Sequence, residues 1–404
     1  MTKIKFGTSG WRAILADEFT FENVRIVTQA ICDHIREKGE SGKGVVVGYD
    51  TRFIGDKFAL EAAEILAANG IKAFLCNRDV PTPVIAFEIM RRKAAGGINF
   101  TASHNPPEYN GLKFSSSWGG PALPEITSDI EKRANEMMGE MTYREISLKK
   151  GMDEKLIEFI DPKDVYLKDI KGKVDTGVLK GMKVAVNHLY GTSRGYLDAL
   201  LEEAGCEVIK FHNHPDPSFG GRSPEPSEEN IHDFIEKMKE DDTISLGLAT
   251  DGDADRFGIV DRGGKYIEPN YIIALLLDYL MRTRGWKGGV ARSVATTHLI
   301  DRVAKKHGIE VFETPVVFKY IGELISEDKL IIGGEESAGL TIKGHVPEKD
   351  GILACLLVAE MVAKEGKCLT EMLNDLYSEV GTVVTRRVNI HLEGSGLKER
   401  LKTL

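Results

Sequence analysis

Three times along the chain, a short β-branched run gives way to apolar residues at helical spacing, then a glycine, then a second β-branched run. The first pass is GVVVGYD (Gly44 to Asp50), a helical stretch FALEAAEILAANG closed by Gly70, and IKAFLCN (Ile71 to Asn77). The second is MKVAVNH (Met182 to His188), YLDALLEEAG closed by Gly205, and CEVIKFHN (Cys206 to Asn213). The third is GVARSV (Gly289 to Val294), HLIDRVAKKHG closed by Gly308, and IEVFETP (Ile309 to Pro315). Each predicts a β-α-β unit. The β-branched residues suit a pleated surface, positions such as Leu197, Leu200, Leu201 and Ala204 line one helix face, and the glycine accepts the left-handed position after the helix. Parallel strands need such a crossover helix. The units lie too far apart for a solenoid but at the right separation for successive domains. The predicted fold class is therefore α/β: three successive, topologically related α/β domains with mixed, mainly parallel sheets, plus a fragment of a fourth.

Breaks in the pattern set the expected boundaries at 1–150, 151–262, 263–372 and 373–404. The polar run from Glu140 to Lys173 reads as a helical linker, and GGK at 263–265 as the opening of the third domain. From Val384 onward, VTRRVNIHLEGSGLKERLKTL reads as one strand and the start of one helix, without a partner layer. The expectation is that it docks elsewhere or that the chain stops inside a fourth domain, as in a truncated or processed form of a longer enzyme.

Composition narrows the function. A chain of 404 residues with 42% apolar and 28% charged residues has the make-up of several globular domains rather than of a disordered chain. A net charge of -9 gives no footprint for nucleic acid or an anionic membrane, so an anionic ligand would need a local basic pocket. Cys32, Cys76, Cys206, Cys355 and Cys368 are scattered and never in C-x-x-C spacing, which argues against a disulfide framework or zinc site and for a reducing cytoplasm. The first residues carry no apolar leader, and the longest apolar run, Tyr271 to Met281, is interrupted by Asp278, so no membrane span is expected. The sequon Asn99-Phe100-Thr101 falls in a strand-like segment and is set aside.

Two segments concentrate chemistry. AGGINFTASHNPPEYNGLK (Ala95 to Lys113) runs an apolar strand into a polar loop, the usual ligand position in an α/β sheet. Ser103 is a possible nucleophile there, although Ser103, His104 and Asn105 also suit a turn before Pro106. TISLGLATDGDADRFG (Thr243 to Gly258) ends a strand at Thr250 and places Asp251, Asp253 and Asp255 at alternate positions before Arg256. Carboxylates so close repel one another unless a cation neutralises them, and oxygen-only ligands favour Mg²⁺ over Zn²⁺. An EF-hand fails, because counting from Asp251 puts Arg256 and Arg262 where glycine and glutamate belong.

Weaker signals accompany these. LIIGGEESAGL (Leu330 to Leu340) reads either as a strand emptying into acids suited to vicinal sugar hydroxyls or as a plain hairpin. FGTSGWR (Phe6 to Arg12) offers backbone amides and a guanidinium for a phosphate, or a simple turn. His212 and His214, in a proline-rich run, read as a polar loop rather than a metal site.

Taken together, GTSGWR, TASHNPPEYNGLK, ATDGDADR and GGEESAG resemble the α-D-phosphohexomutases, the phosphoglucomutases and phosphomannomutases, in that family's order and over nearly the whole chain. The proline-rich DPSFGGRSPEPSEEN is similar to the family's second-domain loop. The resemblance implies a hexose 1-phosphate/hexose 6-phosphate mutase working through a phosphoserine at Ser103 and a hexose 1,6-bisphosphate intermediate. Asp251, Asp253 and Asp255 would hold Mg²⁺ together with a phosphoserine oxygen of Ser103. Lys113 would be the proton-transfer residue, supported by Arg12 and His104. Substrate contacts would come from Ser9, Asn105, Arg256, Lys319, Glu335 and Ser337. Glucose phosphates are the first expectation, with mannose and glucosamine phosphates open; the protein is expected to be a monomer or homodimer.

Two departures stand out. The third-domain loop reads TPVVFK, with Val317 where the family has glycine, and no serine- and glycine-rich phosphate-gripping loop of a fourth domain occurs before Leu404. Two rival readings remain: a Mg²⁺-dependent phosphatase forming an aspartyl phosphate on the Asp251-x-Asp253 pair, and a non-catalytic sugar-phosphate-binding module.

Overall fold

The computed structural model of the chain describes residues 3–7, 10–139 and 142–385, and all three predicted units are present. The first is strand Val45–Tyr49, helix Gly55–Ala68 and strand Ala73–Cys76. The second is Lys183–Asn187, Leu197–Glu203 and Glu207–Phe211. The third is Gly289–Ser293, Leu299–His307 and Val311–Thr314. Within each unit the two strands pair in parallel, and Gly70, Gly205 and Gly308 all take positive φ.

The repetition goes further than the units. On the other side of each opening strand lies another parallel strand: Gly96–Phe100, Leu246–Thr250 and Leu330–Glu335. Each is followed by an antiparallel partner: Tyr109–Ser116, Phe257–Asp261 and Gly339–Ile342. The connections, residues 101–108, 251–256 and 336–338, thus leave the carboxyl ends of equivalent strands, where open α/β sheets bind ligands. Ser103, the aspartate trio and the Glu336-Ser337 pair occupy one topological position repeated three times.

The sheets have seven, five and four strands, and the first two extend past residues 150 and 262. Ile157–Ile160 pairs with Ala73–Cys76, so the first sheet reaches past residue 150 and the expected linker contains a strand. Its two ends, Ile157 and Ile160, are buried while Phe159 is exposed, so no alternating pattern marked it within its charged context. GGK at 263–265 is not the start of the third domain. Asp261 pairs with Lys265 across a three-residue loop in which Gly263 and Gly264 take φ of 76° and 79°, a glycine hairpin ending the second sheet at Ile267. Helix Leu369–Val380 packs on helices Pro269–Arg284 and Leu299–His307, carrying the third domain beyond 372. The segment expected to open a fourth domain lies, from residue 386, outside the described residues.

Two large cores result. One lies within the first domain, from Trp11 and Phe19 to Phe100 and Leu112. The other runs without interruption through the second and third domains. Helix Gly351–Glu365 joins those two, being buried along Gly351–Val362 and packed on both sheets. A helix apolar all round has to be covered on every side. The apolar run Tyr271 to Met281 is likewise a buried helix, and Asp278 within it is paired with His307, Lys306 and Arg282. Among the described residues no helix is long and apolar enough to cross a membrane.

Candidate active site

Ser103 follows strand Gly96–Phe100 in a left-handed backbone conformation, φ 51°, which costs an L-residue about 1–3 kcal/mol unless its surroundings fix it. Its amide donates to Thr101 Oγ1 at 2.8 Å and its hydroxyl to Asp251 Oδ2 at 2.9 Å. His104 Nδ1 lies 3.4 Å from the same hydroxyl. Arg12, on strand Gly10–Ile14, reaches Asn105 Oδ1 at 2.7 Å.

The three aspartates are buried, with one carboxylate oxygen of each within 4.8 Å of the others. A turn centred on Ala254, φ 57°, makes this possible; the Ala254 amide bonds the Asp251 carbonyl and the Arg256 amide bonds Asp251 Oδ1. The other two aspartates are gripped from outside the second domain. Thr82, at the start of helix Thr82–Arg92, donates its hydroxyl to Asp253 Oδ2 at 2.5 Å and its amide to the Asp253 carbonyl, while Asn99 Nδ2 donates to Thr82 Oγ1. Lys113 Nζ, on strand Tyr109–Ser116, bonds Asp253 Oδ2 at 2.7 Å and Asp255 Oδ2 at 3.1 Å. Lys349 Nζ bonds Asp255 Oδ2 at 2.5 Å.

These contacts split the trio electrostatically. Burial, reinforced by Asp253 and Asp255, pushes the Asp251 carboxyl well above the usual range. Burial acts in the same sense on Asp253, but the Lys113 ammonium, the Thr82 hydroxyl and Lys349 more than offset it and hold this carboxyl well below normal. Burial alone would lower the Lys113 pKa, yet Asp253 and Asp255 outweigh it and raise it, so this lysine is held as an ammonium. His104 is pushed down to about 3 by burial, then by Arg256 and Arg12, and is therefore neutral.

Asp253 Oδ1 and Asp255 Oδ1 are buried without a hydrogen-bond partner among the described residues. Two orphaned carboxylate oxygens, in an all-oxygen donor set of three aspartates beside the Ser103 hydroxyl, fit a small hard cation such as Mg²⁺.

In front of the trio opens a cavity of about 180 Å³ lined by Arg12, Ser103, Lys113, Asp255, Arg256, Lys319, Glu335 and Ser337 among others. The structure thus gathers the predicted residues in one place; His104 and Asn105 adjoin Ser103, and Asp251 contacts it from the trio. Ser9 lies outside the described residues.

The segment Leu330 to Leu340 is both a strand ending at Glu335 and a hairpin. Glu335 Oε1 accepts the Val317 amide at 3.0 Å, and Val317 adopts φ 143°, a region glycine enters freely and valine does not. Glu336 Oε2 accepts the hydroxyls of Ser293 at 2.9 Å and Thr296 at 3.1 Å. His212 stacks on Tyr190 at 4.4 Å and bonds Asn187, a polar-loop arrangement in which no metal-ligating cluster includes either His212 or His214 among the described residues.

Sequence reasoning missed Lys349 and Thr82. The only local signal for Lys349 is Asp350, whose side chain accepts the Leu353 amide and caps helix Gly351–Glu365. Tyr166 and His345 both bond the Asp350 carboxylate, which fixes the turn that brings Lys349 to Asp255. Thr82 sits in an ordinary proline-flanked helix start, and its partner Asp253 is 171 residues away.

Family descriptions match three segments. "Phosphoglucomutase/phosphomannomutase, alpha/beta/alpha domain I" covers residues 3–140, domain II covers 164–264 and domain III covers 268–380. A Thermococcus kodakarensis protein named phosphoglucomutase/phosphomannomutase is 33% identical over 377 residues, 92% of this chain and 80% of that protein. A phosphoglucomutase of Komagataeibacter xylinus is 31% identical, over 96% of this chain and 74% of its own length. A solved structure from Thermus thermophilus, described as a phosphomannomutase, superposes with a TM-score of 0.87 at 35% identity, covering 94% of this chain and 84% of that one.

Proposed function

The chain belongs to the phosphoglucomutase/phosphomannomutase family, isomerases that transfer phosphate intramolecularly, and we propose that it interconverts hexose 1-phosphates and hexose 6-phosphates through a phosphorylated Ser103. One observation carries the reading: the Ser103 hydroxyl lies 2.9 Å from Asp251 of a buried acidic trio and faces a cation-lined cavity.

In this reading Asp251, Asp253 and Asp255 hold Mg²⁺, which when bound neutralises charge on phosphoryl oxygens at Ser103. Arg12, Arg256, Lys113 and Lys349 add fixed positive charge around the transferring group, while Glu335 and Ser337 orient the sugar through its hydroxyls. A free hydroxyl of the hexose monophosphate attacks phosphorus. The bond to the Ser103 oxygen breaks as the bond to the sugar oxygen forms, giving a hexose 1,6-bisphosphate. Lys113, held as an ammonium, gives its proton to the leaving seryl oxygen and is restored by the proton of the sugar hydroxyl, with neutral His104 beside the seryl oxygen. After the bisphosphate turns over, the reverse transfer returns a phosphoryl group to Ser103 and releases the isomer. Glucose phosphates are the preferred pair.

The aspartyl-phosphate alternative fits less well. Asp251 is fully buried and both its oxygens are engaged, one by the Arg256 amide and one by the Ser103 hydroxyl.

The test is incubation with Mg²⁺ and glucose 1,6-bisphosphate, followed by peptide mass analysis. We expect one acid-stable, hydroxylamine-resistant phosphoryl group on the Ser103 peptide, and at least about a 10⁴-fold loss of labelling in Ser103→Ala. A hydroxylamine-labile label, or one that persists in Ser103→Ala, would overturn the proposal.

A further inference from the structure

The loop that carries Ser103, His104 and Asn105 has no regular hydrogen-bond ladder, yet it must hold a left-handed serine against a buried carboxylate. Buried carbonyls in such a loop need donors. They receive them from one side chain, Arg52, on the turn after strand Val45–Tyr49.

The guanidinium has five N–H donors, and all are used. Nε donates to Asp50 Oδ2 at 3.2 Å. Nη1 donates to the carbonyls of Pro106 and Tyr109, both at 2.8 Å. Nη2 donates to the carbonyls of Ser103 at 2.7 Å and Asn105 at 2.6 Å. Arg52 is only 3% exposed, and the Phe219 ring of the second domain lies 5.0 Å from its Cζ. Asp50 completes the clamp. It accepts the Arg52 amide at 2.9 Å and the Thr101 hydroxyl at 2.6 Å, and Thr101 Oγ1 in turn accepts the Ser103 amide at 2.8 Å. Both sides of the Ser103 backbone are therefore tied to one buried ion pair, the carbonyl directly and the amide through Thr101.

We propose that Arg52 is a positioning residue for phosphoryl transfer: by fixing four carbonyls of the 103–109 loop it holds Ser103 in its left-handed conformation and aims its hydroxyl at the acidic trio. It lies behind the loop and acts through Ser103. Only arginine suits the place, because a lysine brings three donors on a flexible point charge where five are used in a planar fork. The Phe219 contact brings the clamp against the second domain, which also carries the trio.

This inference rests on the phosphoserine reading for its kinetic arm and on geometry alone for its second. In single-turnover labelling of the full chain from glucose 1,6-bisphosphate with Mg²⁺, Arg52→Ala is expected to lower the limiting rate about 100-fold, with the half-saturating bisphosphate concentration unchanged, as for a reacting atom misplaced by about 1 Å. Arg52→Lys keeps the charge beside Asp50 and is expected to stay at least about tenfold slow; it carries the test if Arg52→Ala does not fold. Amide hydrogen exchange over residues 101–109 should be at least about tenfold faster in either variant, with protection of strand Val45–Tyr49 retained. A parental rate in Arg52→Lys, or unchanged exchange in the loop, overturns the inference. If the parent chain takes no label, the phosphoserine reading fails, and the exchange arm alone decides whether Arg52 holds the loop.

Discussion

The connections at 251–256 and 336–338 follow equivalent strands, yet they are held in opposite ways. The aspartate loop is gripped from outside its own domain: Asp251 by Ser103, Asp253 by Thr82 and Lys113, and Asp255 by Lys113 and Lys349. The connection at 336–338, the sugar loop, takes its side-chain partners from its own domain, Glu335 from the Val317 amide and Glu336 from Ser293 and Thr296, while its Ala338 carbonyl accepts the Phe257 amide of the second domain. The first geometry exists only when all three domains are in place. The second belongs to the third domain and opens onto a further cavity of about 1330 Å³ shared with the second. Damage at the aspartate loop should therefore register in metal binding and stability together, whereas damage at the sugar loop should register in substrate affinity alone.

The largest expected effect comes from beneath the aspartate loop. Thr250, just before Asp251, donates to Ser193 Oγ at 2.7 Å, and Ser193 pairs with His188 Nδ1 at 2.8 Å. His188 is fully buried, and burial pushes its pKa down to about 4 against the opposing pull of Asp198. Between the unfolded value near 6.5 and about 4, the unfolded chain binds a proton that the folded chain does not, so stability present at neutral pH is lost as pH falls through that window. A difference of this size is worth about 3 kcal/mol. Denaturant unfolding across the window should show His188→Gln with a flatter acid-side slope than the parent, by up to about 1.4 kcal/mol per pH unit. Equal slopes would remove His188 as a source of the acid sensitivity.

A matched pair of substitutions tests the contrast itself. Thr82→Val deletes the hydroxyl on Asp253 and leaves Asn99 Nδ2 without its acceptor. Mg²⁺ affinity by titration calorimetry should fall about 10- to 100-fold, with about 1–3 kcal/mol lost from folding. Glu335→Gln keeps the size of the side chain and an acceptor for Val317 but loses the charge. The KM for hexose phosphate should rise about tenfold, while Mg²⁺ affinity stays put and folding changes by less than about 0.5 kcal/mol. Equal metal losses in both variants would erase the distinction between the two loops.

The residues that make up this contrast were unevenly legible in the sequence. The three units were visible because β-branched runs, helical spacing and closing glycines are local signals; so was the aspartate trio, whose members lie within five residues. Ile157–Ile160 was missed because tertiary pairing with Ala73–Cys76 overrides a charged neighbourhood. GGK was misread because a glycine pair marks a hairpin turn as well as a domain break. Thr82 and Lys349 carry no local mark, since each takes its meaning from a carboxylate brought to it by the packing of another domain.

Val317 should give the smallest effect and the sharpest sign. Its φ of 143° is strained for an L-residue, yet its amide is what holds Glu335. Val317→Gly relieves about 1–3 kcal/mol of strain and gives back about 0.5–1 kcal/mol through the greater freedom of glycine in the unfolded chain, so unfolding free energy should rise by about 1 kcal/mol. The amide survives the substitution, Glu335 keeps its donor, and the KM for hexose phosphate should stay within about twofold. A gain in stability with unchanged KM marks the third-domain loop as a self-contained reader that tolerates adjustment. A loss of stability would mean that the valine side chain contributes more by packing than its backbone costs, and a large rise in KM would mean that the strained geometry itself aims Glu335 into the cavity.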